Sequence, residues 1–130
     1  RSGNMKLCVI MIAVCLAFAL VLGGLSMLVF RQATELNALQ QQLMDALRAG
    51  DIMRAQALWQ QLHSQWHQVR PFWKTVLEHA DLDEVDDLLT DIDAAFYVNE
   101  IADALYAAGR LGNHLHCIRE QMQVLWYNLL

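Results

Sequence analysis

Residues 78–96 read EHADLDEVDDLLTDIDAAF, eight carboxylates in nineteen residues behind an early histidine. Such a run is either a calcium loop or the wet side of a helix, and the choice decides the fold. An EF-hand loop needs oxygen ligands at positions one, three and five, a glycine at six and a glutamate at twelve. Counting from Asp81, position five is Val85, position six is Asp86 and position twelve is Ile92. The turn-permitting glycine and the closing acid are both missing. At about 100° per residue, Leu82, Val85, Leu88, Leu89, Ile92 and Phe96 gather on one side of a helix. Asp83, Glu84, Asp86, Asp87, Asp91 and Asp93 occupy the other, as a solvated face. Asp81 is expected as the N-cap, with the early acids favoured by the positive end of the helix dipole.

The flanking segments have the same 3.6-residue period. Leu36, Leu39, Leu43 and Leu47 form one stripe, and Gly50 is suited to the left-handed turn past a helix end. Asp51 is placed to cap the next helix, whose stripe is Ile52, Ala55, Trp59, Leu62, Trp66 and Val69. Pro71 is expected to end that helix and start a short one with Phe72, Trp73, Val76 and Leu77 on its apolar face. A last helix carries Ile101, Leu105, Ala108, Leu111, Leu115, Ile118, Met122, Leu125 and Leu129. Gly109 and Gly112 interrupt it at ~1 kcal/mol each relative to alanine, which marks a bend or a close helix contact. The fold class is therefore all-α, an antiparallel bundle with short connections. Its expected core is Trp59, Leu62, Trp66, Leu88, Ile92, Phe96, Leu115, Ile118 and Leu125.

Ahead of the bundle, Leu7 to Phe30 is a 24-residue run without charge. At ~1.5 Å per residue it crosses the ~30 Å hydrocarbon layer with some tilt. The rival is a cleavable signal peptide, whose apolar core runs about 7–15 residues and ends at a small-residue site. Here the run is longer and passes straight into RQATELNALQ, which favours a retained anchor. The expected organisation is a flank at 1–6, a transmembrane anchor at 7–30 and an acidic helical domain at 31–130. If Met5 is the native start and residues 1–4 a leftover of cloning, Lys6 still precedes the span. The positive-inside bias then puts the N-terminus in the cytoplasm and the C-terminal domain outside.

Seven of the nine Lys and Arg residues and all fourteen acids fall in residues 31–130, a net formal charge of −7. So acidic a domain is poorly matched to nucleic acid or to an anionic lipid surface, both negative themselves. Cys8 and Cys15 lie within the span and Cys117 alone in the domain, so no internal disulfide framework can be drawn. They read as small packing residues, with an intermolecular bond left open.

Candidate chemistry is sparse. His63 and His67 stand four apart, a spacing that lets two imidazoles meet one ion, but LHSQWH is not H-E-x-x-H and a third ligand is needed. His79 with Asp81 or Asp83, or the His114 and His116 pair, would have to be brought in by folding. A metal-binding His/Asp site with hydrolytic activity, built on His63, His67, His79 and Asp83, is the alternative reading. The tryptophans at 59, 66 and 73, with Trp126, read as core, the alternatives being a ligand platform or a membrane-interface belt. No nucleophile elbow, phosphate-binding glycine loop or Cys-His pair is present, and no cofactor is implied.

The anchor, the segment DIMRAQALWQQLHSQW, the acidic helix HADLDEVDDLLTDID and the closing helix with Asn128 in WYNLL together resemble domain-of-unknown-function family 4363. That resemblance implies a bacterial, single-pass membrane protein of a kind encoded beside multi-pass membrane proteins. It implies no activity and no catalytic residues. Gly109 and Gly112 depart from the smoother last helix expected of the family. Residues and resemblance together read as a non-enzymatic, membrane-tethered scaffold whose partner is a multi-pass membrane protein or a second copy of the chain.

Overall fold

The structure, a computed structural model, describes residues 2–129. Arg1, one of the two basic residues ahead of the apolar run, and the side chain of Leu129 lie outside the described residues. The chain forms four helices, α1 (Ser2–Arg48), α2 (Ile52–Trp73), α3 (His79–Tyr97) and α4 (Ile101–Leu129), with no strand among the described residues. The all-α antiparallel bundle expected from the periodicity is what is found.

The apolar run and the first bundle helix are one continuous element. At ~1.5 Å per residue, the 47 residues of α1 extend about 70 Å. Its first half is exposed on every side. Its second half buries Ser26, Val29, Ala33, Leu36, Gln40, Leu43 and Leu47, a strict alternation of three- and four-residue steps. That spacing keeps one seam facing a partner helix, as in coiled coils and four-helix bundles. The same rhythm recurs in α4 at Ala104, Ala108, Leu111, Leu115, Ile118 and Met122. Helix α1 packs against α4 and α2, α3 packs against α4, and α2 and α3 approach only loosely. The two faces of α1 thus hold two helices, and long side chains close the remaining side.

Two of the turns are built alike. After α1, Gly50 has φ +74°, and the amides of Gly50 and Asp51 bond the carbonyls of Leu47 and Ala46 at 3.2 and 3.0 Å. After α3, Asn99 has φ +57°, and the amides of Asn99 and Glu100 bond Phe96 and Ala95 at 3.2 and 2.9 Å. Both are Schellman closures, which satisfy helix-end carbonyls and need a residue at ease in the left-handed region. As expected, the Asp51 carboxylate caps α2, accepting from the Arg54 amide at 3.2 Å.

Three expectations about the helix ends and the core are corrected. Pro71 does not end α2, which continues to Trp73, and residues 74–78 form a turn instead of a short helix. In the last helical turn the only bond a proline forfeits is to the carbonyl four residues back. Pro71 and His67 are both exposed, so water reaches that carbonyl. Asp81 is not the cap of α3. Glu78 is, with extended backbone and no side-chain bond, and Asp81 falls within the first turn. Trp59 is half-buried and Leu125 is 43 % exposed, so neither belongs to the core, whereas Leu62, Trp66, Leu88, Ile92, Phe96, Leu115 and Ile118 do. Trp59 faces the loosely packed α2–α3 side, and Leu125 continues the stripe of α4 one step past Met122, the last residue it buries.

The two glycines of α4 have different roles. A Cβ on Gly112 would come within 2.5–2.8 Å of three atoms of the Gln40 side chain, whereas one on Gly109 would meet only Met44 Cε at 3.8 Å. Gly112 is therefore a close helix contact and Gly109 is not. Gly112→Ala should lower stability by ~1–3 kcal/mol, because displacing a buried, bonded amide outweighs the gain in helix propensity. Gly109→Ala should raise stability by up to ~1 kcal/mol. Chemical denaturation of both variants checks the pair. A Gly112→Ala chain as stable as the parent would contradict the contact.

Candidate functional site

The α1–α4 seam contains a polar core position. The Gln40 side chain is buried to 1 % exposure, and its Nε2 donates to the Ala108 carbonyl at 2.8 Å and approaches Met44 Sδ at 2.9 Å. The Gln40 Oε1 has no protein partner, nor has the buried Asn37 Oδ1 one turn away. Both residues line a cleft of about 550 Å³ with Tyr106, Arg110, Asn113 and His116. Gln40 falls outside the Leu36, Leu39, Leu43 and Leu47 stripe read from the sequence, and only the fold shows that Gly112 of α4 makes room for it.

The α2–α3 seam is closed by charge. Asp86 accepts from Trp66 Nε1 at 2.7 Å and from Arg70 through Nη2 at 2.8 Å and Nε at 2.9 Å. The fork of the guanidinium matches the carboxylate, a geometry lysine lacks. Its hydrogen bond to Asp86 holds the Arg70 guanidinium above its ordinary pKa, with the charges of Asp86 and Asp83 adding to it against partial burial. Protonation is thus favoured in the folded state. That contribution is full below arginine's ordinary pKa and is lost as pH rises from there through the raised folded value, so the Arg70 charge persists across the physiological range. Asp86 was expected among the solvated acids; it is instead the tie between two helices. Glu84 likewise meets Arg110 of α4 at 3.1 Å. Helix α3 is wet on its acidic side, but Asp83, Glu84 and Asp86 each face an arginine of a neighbouring helix.

The histidines do not converge. His63 and His67 are exposed on α2 with rings stacked at 6.3 Å, and His63 stacks on Trp59 at 5.1 Å. His79 opens α3, seven residues and ~10 Å of helix ahead of Asp86. Asp83 is exposed and 3.7 Å from Arg70. Asp81 sits beside His114, whose Nε2 donates to the Asp81 backbone oxygen at 3.0 Å. His116 pairs with Glu120 within α4. Among the described residues, no three His, Cys, Asp or Glu side chains gather as a metal site. Cys8, Cys15 and Cys117 are free and exposed.

The tryptophans divide between burial and the bundle's end. Trp73 is fully buried and donates through Nε1 to Gln32 Oε1 at 2.8 Å, and Trp66 packs edge-on against it at 5.3 Å. Trp126 lies at the tip of α4, where it lines a shallow pocket with Met27, Phe30 and Met122. That pocket adjoins the exposed apolar half of α1, which is long and apolar enough to cross a membrane.

The family model described as a domain of unknown function (DUF4363) matches residues 27–129. The chain belongs to this family. The DUF4363 match takes in α2, α3, α4 and the packed half of α1, and the exposed apolar half of α1 precedes it. Comparisons with curated proteins and with solved structures find no match.

The acids of α3 separate in a stability measurement. Asp86→Asn should cost ~1 kcal/mol, the value of a charge-assisted pair discounted for the partial exposure of both groups. Asp87→Asn with Asp91→Asn removes a like-charge pair four apart and should raise stability by ~0.2–0.5 kcal/mol at low salt. Thermal unfolding at two ionic strengths checks both. Equal effects from the two variants would return Asp86 to the solvated face.

Proposed function

We propose that this chain is a non-enzymatic, membrane-tethered helical module. In this reading residues 7–30 anchor it, the bundle stands outside the cytoplasm, and its partner is an integral membrane protein or a second copy of itself. The observation that carries the reading is the exposure of the first half of α1. Met11, Ile12, Phe18 and Leu20 are each at least 60 % exposed on a helix that runs without a break into the bundle. An apolar surface of that extent is not left to water, and a bilayer covers it on all sides at once. The basic residues ahead of the run favour the stated orientation.

An interaction role is supported by what the bundle displays: a polar cleft between α1 and α4 and charge-tied seams. Continuity of α1 makes such a module suited to holding a partner at a set height above the membrane, because a helix transmits position where a flexible linker would not. Native membranes extracted first with alkaline carbonate and then with mild detergent test the proposal. The chain should resist carbonate and leave the detergent extract in an assembly larger than one chain, with its companions identified by mass spectrometry. Release by carbonate, or a solitary chain in detergent, would contradict it.

A further inference from the structure

We propose that the last turns of α4 form a second membrane contact, Val124, Leu125, Trp126 and Tyr127 entering the interfacial layer of the bilayer beside the point where α1 leaves it. The proposal rests on α1 being the anchor and adds a site on a different helix. Antiparallel packing sets its geometry. Gln40 bonds Ala108, the Arg119 guanidinium lies 5.2 Å over the Phe30 ring, and Met27 shares a pocket with Met122 and Trp126. Continuing that register brings the tip of α4 level with Gly23–Met27, inside the charge-free run of α1. At ~1.5 Å per residue about 20 residues from Leu7 fill the ~30 Å hydrocarbon layer, so the layer ends close to Ser26. The tip of α4 is therefore carried to the height of the bilayer surface by packing alone.

The chemistry of the tip fits that place. No charged residue follows Glu120, and Val124, Leu125 and Tyr127 are 58, 43 and 65 % exposed. Trp126 and Tyr127 share a pocket with the exposed Met27 of α1, while Val124 and Leu125 lie beside Val76 and Leu77 of the α2–α3 turn. Trp126 and Tyr127 pack edge-on at 5.4 Å, and both residue types favour the headgroup level, where an apolar ring and a polar tip are satisfied together. Arg31, exposed, and Arg119, half-buried with its guanidinium over the Phe30 ring, stand just above. Glu78, Asp81 and Glu120 lie on the bundle side of Val124 and Leu125, so the acids border the contact from above and phosphatidylcholine, without net charge, does not repel them.

The test uses the full chain in phosphatidylcholine vesicles, with single cysteines labelled by an environment-sensitive fluorophore. Cys15 reports the anchor. Val124→Cys and Tyr127→Cys, each in a chain with Cys8, Cys15 and Cys117 replaced by alanine, report the tip, and Tyr97→Cys reports the far end. Labels at 124 and 127 should emit to the blue of the label at 97 and be quenched by lipids brominated near the headgroup, while the label at Cys15 is quenched by lipids brominated deep in the chains. Quenching at Cys15 with labels at 124 and 127 behaving as at 97 would overturn the second contact and leave the anchor standing. A blue-shifted tip that brominated lipid does not quench would assign the patch to protein, which also overturns it. No quenching at Cys15 would overturn the anchor, and the second contact with it.

Discussion

A buried glutamine amide resting on a glycine, midway along the α1–α4 seam, sets how far these two helices slide past each other. Apolar stripes at three- and four-residue steps are tolerant of slippage by a heptad, since each register buries similar side chains. Gln40 removes that tolerance. Moved seven residues, it would face Leu105 or Arg119 in place of Gly112 and lose its bond to Ala108. A single polar residue in such a seam is known to specify register at some cost in stability, and the unpartnered Oε1 is where that cost falls. From this register follow the height at which α4 ends and the attachment of α3, which packs chiefly on α4. Helix α2 is held separately along α1 and pinned through Trp73 and Gln32.

The loose side of the bundle is closed in a different way. Between α2 and α3 the backbones are too far apart for close stripe packing, and Trp66, Arg70 and Asp86 span the gap. A bidentate ion pair with an indole donor tolerates the separation because its reach comes from side chains. This also accounts for why only three of the four seams resemble coiled-coil packing. A module of this build has one firmly packed spine and one loosely packed flank.

Much of this was legible in the sequence, for reasons that are local. Hydrophobic period, the Gly50 and Asp51 punctuation and the absence of EF-hand positions in 81–92 are properties of neighbours in the chain. They led to the four helices, with a short extra one after Pro71 that does not form, to a 24-residue apolar run and to the wet side of α3. What was not legible depends on which helix stands beside which. Asp86 is indistinguishable from Asp87 until α2 is set against its side of α3. Trp59 follows the same heptad as Trp66 and Trp73, but the seam has opened by the time it is reached, so its ring stacks on His63 instead of filling the core. The histidines show the converse: suggestive spacing on one helix, with no third His, Cys, Asp or Glu beside it among the described residues.

The account stands or falls on α1 being one rigid helix from the apolar run into the bundle, through Gly23 and Gly24, where a hinge would be cheapest. Pulsed dipolar spectroscopy on the full chain in bilayers, with spin labels at Cys15 and at Gln42→Cys and the other cysteines replaced, measures this directly. A straight helix over those 27 residues predicts a single narrow distance near 40 Å, at ~1.5 Å per residue. A broad distribution, or one centred well below that length, would show a break at the membrane boundary and contradict the account.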